Sequence, residues 1–307
     1  DAGKKEHRAR QADEDAIPKN VLDELHQAKA KPVEEEEDIT LADLADFSKN
    51  YVYLLLIIAA ATLVYYPTLD NEFVWDDHAF IAENENIHSL GNIPSFFIHD
   101  VEGLYRPLRT TSYALSYALF GLHPSWYHLQ ALIIHLIASL LVFYIILRLA
   151  DSKFMAFAAS FIFAVHPVHT EAIAFITSSF DQVAIIFYLA AFLLYIKTSR
   201  KGKLADMDQY YLSLFFFILA AFTSEIALTL PLVIVVYDWL FVEGHHKALK
   251  EKLRFYMPFF AALIGYLIIR FFFIGVIARN SVDTVSQYFL GLLTFAKVIV
   301  GYLYVLF

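Results

Sequence analysis

The chain reads as an all-α, polytopic membrane protein, and three observations carry that reading. Hydrophobic residues make up 59% of it and the mean hydropathy is +0.53, above the roughly 45–50% apolar share of soluble domains. Apolar stretches of near-spanning length recur from Tyr51 to the end, each needing about 20 residues to cross hydrocarbon. Lys and Arg fall in alternate connecting loops, the asymmetry that sets membrane orientation.

The first segment, 1–50, is polar and contains the run Glu34-Glu35-Glu36-Glu37-Asp38. It is expected to be a solvated, partly disordered acidic tail. Val21–Ala30 has the pattern of a short amphipathic helix, and the tail is the part that would dock partners in a larger membrane complex. No short basic leader precedes the first apolar stretch, so that stretch is expected to act as an uncleaved anchor. The absence of Cys excludes disulfides, thiolate nucleophiles and Cys-held metals. The net charge of −9 reflects the tail, and nothing points to a nucleic-acid partner.

The pattern predicts about eight transmembrane helices in a domain spanning 51–307: Tyr51–Pro67, Trp126–Ala150, Phe154–Val165, Val183–Lys197, Tyr210–Thr223, Ile226–Val242, Phe255–Val276 and Tyr288–Phe307. The boundary at Ser224-Glu225 is the least marked, because two short spans meet there almost without a loop. One set of loops holds Lys153, then Lys197, Arg200, Lys201 and Lys203, then Lys247, Lys250, Lys252 and Arg254; the other holds Arg106, Arg109 and Arg279. The first set is thereby expected to be cytoplasmic, with the N-terminus, and the second periplasmic, extracellular or lumenal. The largest outer segment, 68–125, contains Ile93–Ile98 and Leu108–Leu122, expected as helices lying in the outer interface rather than crossing. The chain stops at Phe307 within an apolar run, as a truncated chain would.

The chemistry-bearing residues collect on the outer side. The first outer loop carries Asp70-Asn71-Glu72-Phe73-Val74-Trp75-Asp76-Asp77-His78; ionised pairs at a membrane edge are costly, although Asp and Asn also favour turns. Alternating topology adds Arg106, His123, His166, His169, Glu171, Asp181 and Glu225. Carboxylates, imidazoles and an Arg at a membrane edge suit transfer of a sugar from a phosphate leaving group: a carboxylate takes the acceptor proton while a cation neutralises the phosphate. Arg106, Arg270, His166 and His169 are the candidates for the phosphate. A divalent cation could be held by Asp76, Glu171 or Asp181. His166-Pro167-Val168-His169-Thr170-Glu171 is not the His-Glu-x-x-His order of zinc peptidases, and polar residues around a Pro also satisfy freed backbone groups. Arg270 and Lys297 lie within apolar stretches, Lys297 deep enough to expect an internal partner. Tyr237 and Asp238 read as an interfacial anchor.

Phe73-Val74-Trp75-Asp76-Asp77, Tyr105-Arg106-Pro107-Leu108, Gly121-Leu122-His123-Pro124-Ser125-Trp126-Tyr127-His128, His135, Phe163 to Ala172 and Leu230-Pro231-Leu232 follow one another in this order. In that order they resemble the transmembrane-and-tetratricopeptide-repeat O-mannosyltransferases and their prokaryotic relatives, of the GT-C glycosyltransferase superfamily. The resemblance covers about Tyr51 to Phe307, and it implies a GT-C-like membrane domain. It also implies a mannose-like hexose on a polyprenyl or dolichyl phosphate, a hydroxyl acceptor on protein, and transfer on the extracytoplasmic face. The catalytic carboxylate of the family maps to Asp76 and Asp77, with Asp77, the residue farther from the preceding span, favoured as general base; Arg106, His166, His169 and Glu171 match positions on the same face, Glu171 as a further catalytic candidate. Relatives tend to have Gly-Arg-Ala-Asp where this chain has Ser178-Ser179-Phe180-Asp181, and Lys-Glu where it has Ser224-Glu225. Two missing cations leave the alternative of a catalytically silent scaffold subunit of a larger membrane complex. A transporter has only Arg270 and Lys297 in its favour, without repeat symmetry.

Overall fold

The computed structural model describes residues 47–101, 103–199, 206–242 and 245–275, together with the helical residues 293–295, 297–298 and 300–301. The tail up to residue 46 with its expected Val21–Ala30 helix, Arg200 to Lys203, Arg279 and most of the expected last span lie outside them. The chain divides into two units between Lys49 and Asn50, and the following account concerns the second.

Helix α1 (Phe47–Tyr65) forms where an apolar run is interrupted only by Thr62 and stops before Pro67. Leu54, Ile57, Ala61 and Tyr65 are buried at helical spacing, whereas Leu55, Leu56 and Leu63 face outward, as on a helix whose far side meets lipid. A 3-10 turn (Tyr66–Asp70) leads into the outer loop. There, short turns and α2 (Ile93–Phe96) bury Phe80, Ile81, Ile87 and Phe96 against Tyr113, Tyr127, Ile176 and Phe180. The first outer loop is therefore a packed cap with its own apolar core.

Helix α3 (Pro107–Phe120) starts on a proline, whose fixed φ suits the first turn. It ends at Gly121, with φ 58° and ψ −140°, a region open to glycine alone, and the Tyr127 hydroxyl donates to the Gly121 carbonyl at 2.9 Å. At 14 residues, α3 is about 21 Å long, too short to cross hydrocarbon. Helix α4 (Pro124–Ala150) is the longest, at 27 residues. Helix α5 (Lys153–Val165) is capped by the Ser152 hydroxyl, which accepts from Met155 N–H at 3.3 Å. It breaks at His166, because the residue before a proline is driven to extended backbone. After a 3-10 turn comes α6 (Thr170–Ala174), and the break bends the chain by 47°.

Helix α7 (Ile176–Ser199) packs along α8 (Met207–Thr223) and against α4. Helix α9 (Leu230–Phe241) packs on α10 (His245–Ile268), which runs into a π-helical turn (Ile269–Ile274) ended by Gly275 at φ 77°. Tyr195, Phe217, Ile234 and Phe259 join α7 to α10 in one core.

Among the described residues, four helical segments are long and apolar enough to cross a membrane: Asn50–Asp70, Pro124–Ala150, Ile176–Ser199 and Lys252–Ile274. The bent α5–α6 pair makes a fifth if it counts as one span. The expected spans at Tyr210–Thr223 and Ile226–Val242 form as helices of 17 and 12 residues, about 26 and 18 Å. Residues 226–229, expected at the start of the latter span, belong instead to a 3-10 turn (Glu225–Thr229).

Candidate functional site

The two adjacent acids of the outer loop diverge. Asp77 is fully buried. Its Oδ1 accepts from the backbone N–H of Thr177 at 2.8 Å and from the Thr177 hydroxyl at 2.6 Å, and its Oδ2 accepts from Val74 N–H at 3.1 Å. The carboxylate thus caps the first turn of α7 from a distant loop and satisfies an otherwise orphan helix donor. Asp76 is only half-buried. Of the pair, the first acid keeps part of its surface exposed, and the second fastens the loop to α7.

One turn beyond Thr177, Asp181 meets the first turn of α3. Arg106 donates from one terminal nitrogen to both Asp181 oxygens, at 2.9 and 2.8 Å, and from Nε to Glu225 Oε2 at 2.7 Å. Arg109 reaches Asp181 Oδ1 at 3.3 Å from beneath. Its guanidinium lies 5.0 Å from the ring centre of Phe80 and 5.8 Å from that of Tyr113. Arg270 pairs with the other Glu225 oxygen and donates to the Tyr266 hydroxyl at 3.3 Å. Four separate elements meet here: α3, α7, the turn before α9 and the π-helical end of α10.

The cluster holds three guanidiniums against two carboxylates, an excess of one positive charge. Arg109 is 3% exposed, and its Nε has no hydrogen-bond partner among the described residues; such an orphan donor is unfavourable unless a ligand or water meets it. Burial by itself would push the Glu225 carboxyl up, but Arg106 and the Arg270 hydrogen bond outweigh it and hold the group below its ordinary value.

The structure brings together Arg106 and Arg270, expected at the phosphate, and Asp181, expected at a cation, with Glu225 linking the two arginines. It does not bring His166 and His169 to the arginines. His166 Nδ1 accepts from Val168 N–H at 3.1 Å, and its carbonyl accepts from the Tyr65 hydroxyl at 2.9 Å. His169 lies 4.4 Å from the Phe163 ring and 5.3 Å from His135. These histidines shape the helix break. Among the described residues no group of three or more His, Asp or Glu is placed to hold a metal. The expected set of Asp76, Glu171 and Asp181 does not assemble, because Asp181 turns its oxygens to Arg106 and Arg109. Glu171 is exposed on α6. Lys297, expected to have an internal partner, is exposed.

Sequence reasoning missed Arg109, Thr177 and Tyr266 as members of this site. The signal was in the spacing: Arg109 lies one turn after Arg106, Thr177 one turn before Asp181 and Tyr266 one turn before Arg270, so each pair shares a helix face. Two cavities of about 480 and 310 Å³ lie elsewhere in the outer loop, sharing Asn86, Asp100 and Val101, and no arginine lines either.

Fold and site together define a polytopic helical membrane protein with a positively charged ion cluster where four helical elements meet. No family model matches the chain, and no solved structure matches it. Curated proteins do. Human protein O-mannosyl-transferase TMTC3 is 29% identical over 206 residues, covering 64% of this chain and 22% of the relative. Human protein O-mannosyl-transferase TMTC1 is 30% identical over 202 residues, covering 60% and 23%. The Caenorhabditis elegans protein O-mannosyl-transferase F38B6.6 is 35% identical over 158 residues, covering 47% and 23%. The matched region spans less than a quarter of the length of these relatives, and within that region the chain is TMTC-like.

Proposed function

We propose that this chain is the membrane portion of a glycosyltransferase that moves a mannose-like hexose from a polyprenyl or dolichyl phosphate to a protein hydroxyl on the extracytoplasmic face. The observation that supports this most is the arginine cluster: three guanidiniums against two carboxylates, a net positive charge with an orphan buried donor where helix ends meet. The similar proteins named above are protein O-mannosyl-transferases, which supports a glycosyl transfer.

In this reading Asp76 is the general base. It takes the proton of the acceptor hydroxyl as that oxygen bonds to the anomeric carbon. The bond from that carbon to the phosphate oxygen breaks, and its electron pair stays on the departing lipid phosphate. Arg106 and Arg270 neutralise the charge developing there, since a guanidinium presents parallel N–H donors to phosphate and stays charged. Asp77 positions Asp76 through its hold on α7. Among the described residues no group of three His, Asp or Glu fits a divalent cation, so no step is routed through one.

A second reading, a catalytically silent scaffold, is favoured by one observation: each of the three arginines is already ion-paired with Asp181 or Glu225. Transfer assays with the purified protein, a mannosyl-phosphoryl polyprenol and a Ser/Thr-containing acceptor separate the two. The enzyme reading expects transfer that Asp76→Asn abolishes and Arg106→Gln weakens through donor binding. Undiminished transfer by an Asp76→Asn, Asp77→Asn double variant would assign the base elsewhere. No transfer by the unmodified protein, with no donor bound, would favour the scaffold.

A further inference from the structure

Trp75 is the least comfortable residue of the outer loop. Its φ is 49°, a left-handed backbone that a bulky residue rarely adopts, and its side chain is 80% exposed. Burial therefore gives no reason for the strain. The turn is held on both sides by Asp77 N–H donating to the Val74 carbonyl at 2.9 Å, His78 N–H donating to the Trp75 carbonyl at 3.2 Å, and the Asp77 carboxylate on Val74 N–H. The surroundings over-determine the backbone, the condition under which strain persists at functional positions. Phe175 meets the indole edge-to-face at 5.8 Å and 77°, which orients the ring and leaves most of it open.

We infer that Trp75 is a carbohydrate platform, stacking its indole against the pyranose ring of a sugar held beside Asp76; this rests on the glycosyltransferase reading above. The negative π face of an indole attracts the weakly positive C–H face of a sugar, while acids and amides around it bond the hydroxyls. The loop supplies both kinds of group: Asp70, Asn71, Glu72 and His78 are exposed on the same short stretch of chain, and Asp76, the next residue, is half-buried. Such polar company suits a sugar better than the hydrocarbon boundary, where an exposed Trp would otherwise serve as an interfacial anchor.

The test uses the protein in phosphatidylcholine nanodiscs with Trp126→Phe and Trp239→Phe, which leaves Trp75 as the one tryptophan of the three in the sequence. The probes are a mannosyl-phosphoryl polyprenol and the same polyprenyl phosphate without sugar. The sugar-linked lipid is expected to shield Trp75 from acrylamide quenching, and the bare lipid is not. Trp75→Gly suits the left-handed backbone, so the loop keeps its turn while the ring is lost. It should weaken sugar-linked lipid binding about three- to tenfold, the scale of one aromatic stack, and leave bare lipid binding unchanged; Trp75→Phe should retain most of the affinity. Shielding in nanodiscs without either probe would make Trp75 an interfacial anchor and overturn the platform. Sugar-linked lipid that binds with no change at Trp75 would overturn the platform and leave the donor reading standing. Failure of the folded protein to bind either lipid would remove the donor reading and the platform with it.

Discussion

Asp76 and Asp77 differ by one position and stand in different physical situations, so their substitutions should separate cleanly. Asp77 accepts three hydrogen bonds on two oxygens, and an Asn there would turn an NH₂ group toward one of its donors. Asp77→Asn is expected to cost about 1–3 kcal/mol, read as a lower thermal midpoint. Asp76→Asn should leave the midpoint nearly unchanged and lower sugar transfer on the order of 10²–10⁴-fold. The sequence favours Asp77 as the base on its distance from the preceding span, because adjacency says nothing of which acid a distant helix end needs. Thr177, 100 residues away, makes that choice. Glu225 gives a second test at this scale. Its native carboxyl is held below the ordinary value of about 4.5 by Arg106 and Arg270, which outweigh burial. A depressed native pKa contributes stability that is fully present above the unfolded value and is lost as pH falls through the native one. The midpoint advantage of the unmodified protein over Glu225→Gln should therefore hold above about pH 5 and shrink steadily on acidification below it. An advantage that grew in acid would reverse the assignment.

At the scale of elements, the inner end of the bundle is tied by a buried charge pair. Asp238 of α9 is fully buried and accepts from Tyr195 at 2.6 Å, Tyr256 at 2.7 Å and Lys252 at 3.1 Å, and also from Ser199. Lys252, 2% exposed, also donates to the Ser199 carbonyl at 3.3 Å, closing the C-terminal end of α7. The sequence reading of Asp238 as an interfacial anchor is corrected here. A lone Asp ending an apolar helix shows no partner in its own segment, and its partners come from two other helices. The i, i+4 pairs Tyr195–Ser199 and Lys252–Tyr256 each share a helix face and were the available signal. The same limit explains α7, expected from Val183 and found from Ile176. Apolar periodicity located the lipid-compatible part of the helix, while Thr177, Ser179 and Asp181 looked like loop because their partners lie in other segments. The helices themselves were legible, because an apolar run bounded by Pro or a cap needs no tertiary information. Removing one partner of a buried pair leaves an uncompensated charge, so Lys252→Met should cost about 3–5 kcal/mol. Adding Asp238→Leu should recover much of the loss. A double variant as unstable as the sum of its singles would show that the hydroxyls, rather than the ion pair, hold the ends together.

Across the whole molecule, the arrangement of the site depends on which helices cross. By the Lys/Arg asymmetry, Lys153 is expected on the cytoplasmic side and the 68–125 loop on the other, and helix lengths bear on the same question independently. Between Glu83 in the outer loop and Lys153 at the start of α5 lie α3, of 14 residues, and α4, of 27. At 1.5 Å per residue these are about 21 and 40 Å, against a hydrocarbon core of about 30 Å. If only α4 crosses, Glu83 and Lys153 lie on opposite sides; if α3 also crosses, they lie on the same side, and every later loop inverts. Tyr113 and Ala114 of α3 are buried against the outer loop, and Arg109 against Asp181. A crossing α3 would carry Arg109 and Asp181 into hydrocarbon, where ionised groups are costly. The chain has no Cys, so single cysteines can be read without background. Glu83→Cys and Glu171→Cys are expected to react with a membrane-impermeant maleimide from the extracytoplasmic side, and Lys153→Cys only after the membrane is permeabilised. Labelling of Glu83→Cys and Lys153→Cys from the same side would mean that α3 crosses. The arginine cluster would then be buried within the membrane, out of reach of an acceptor hydroxyl arriving from outside.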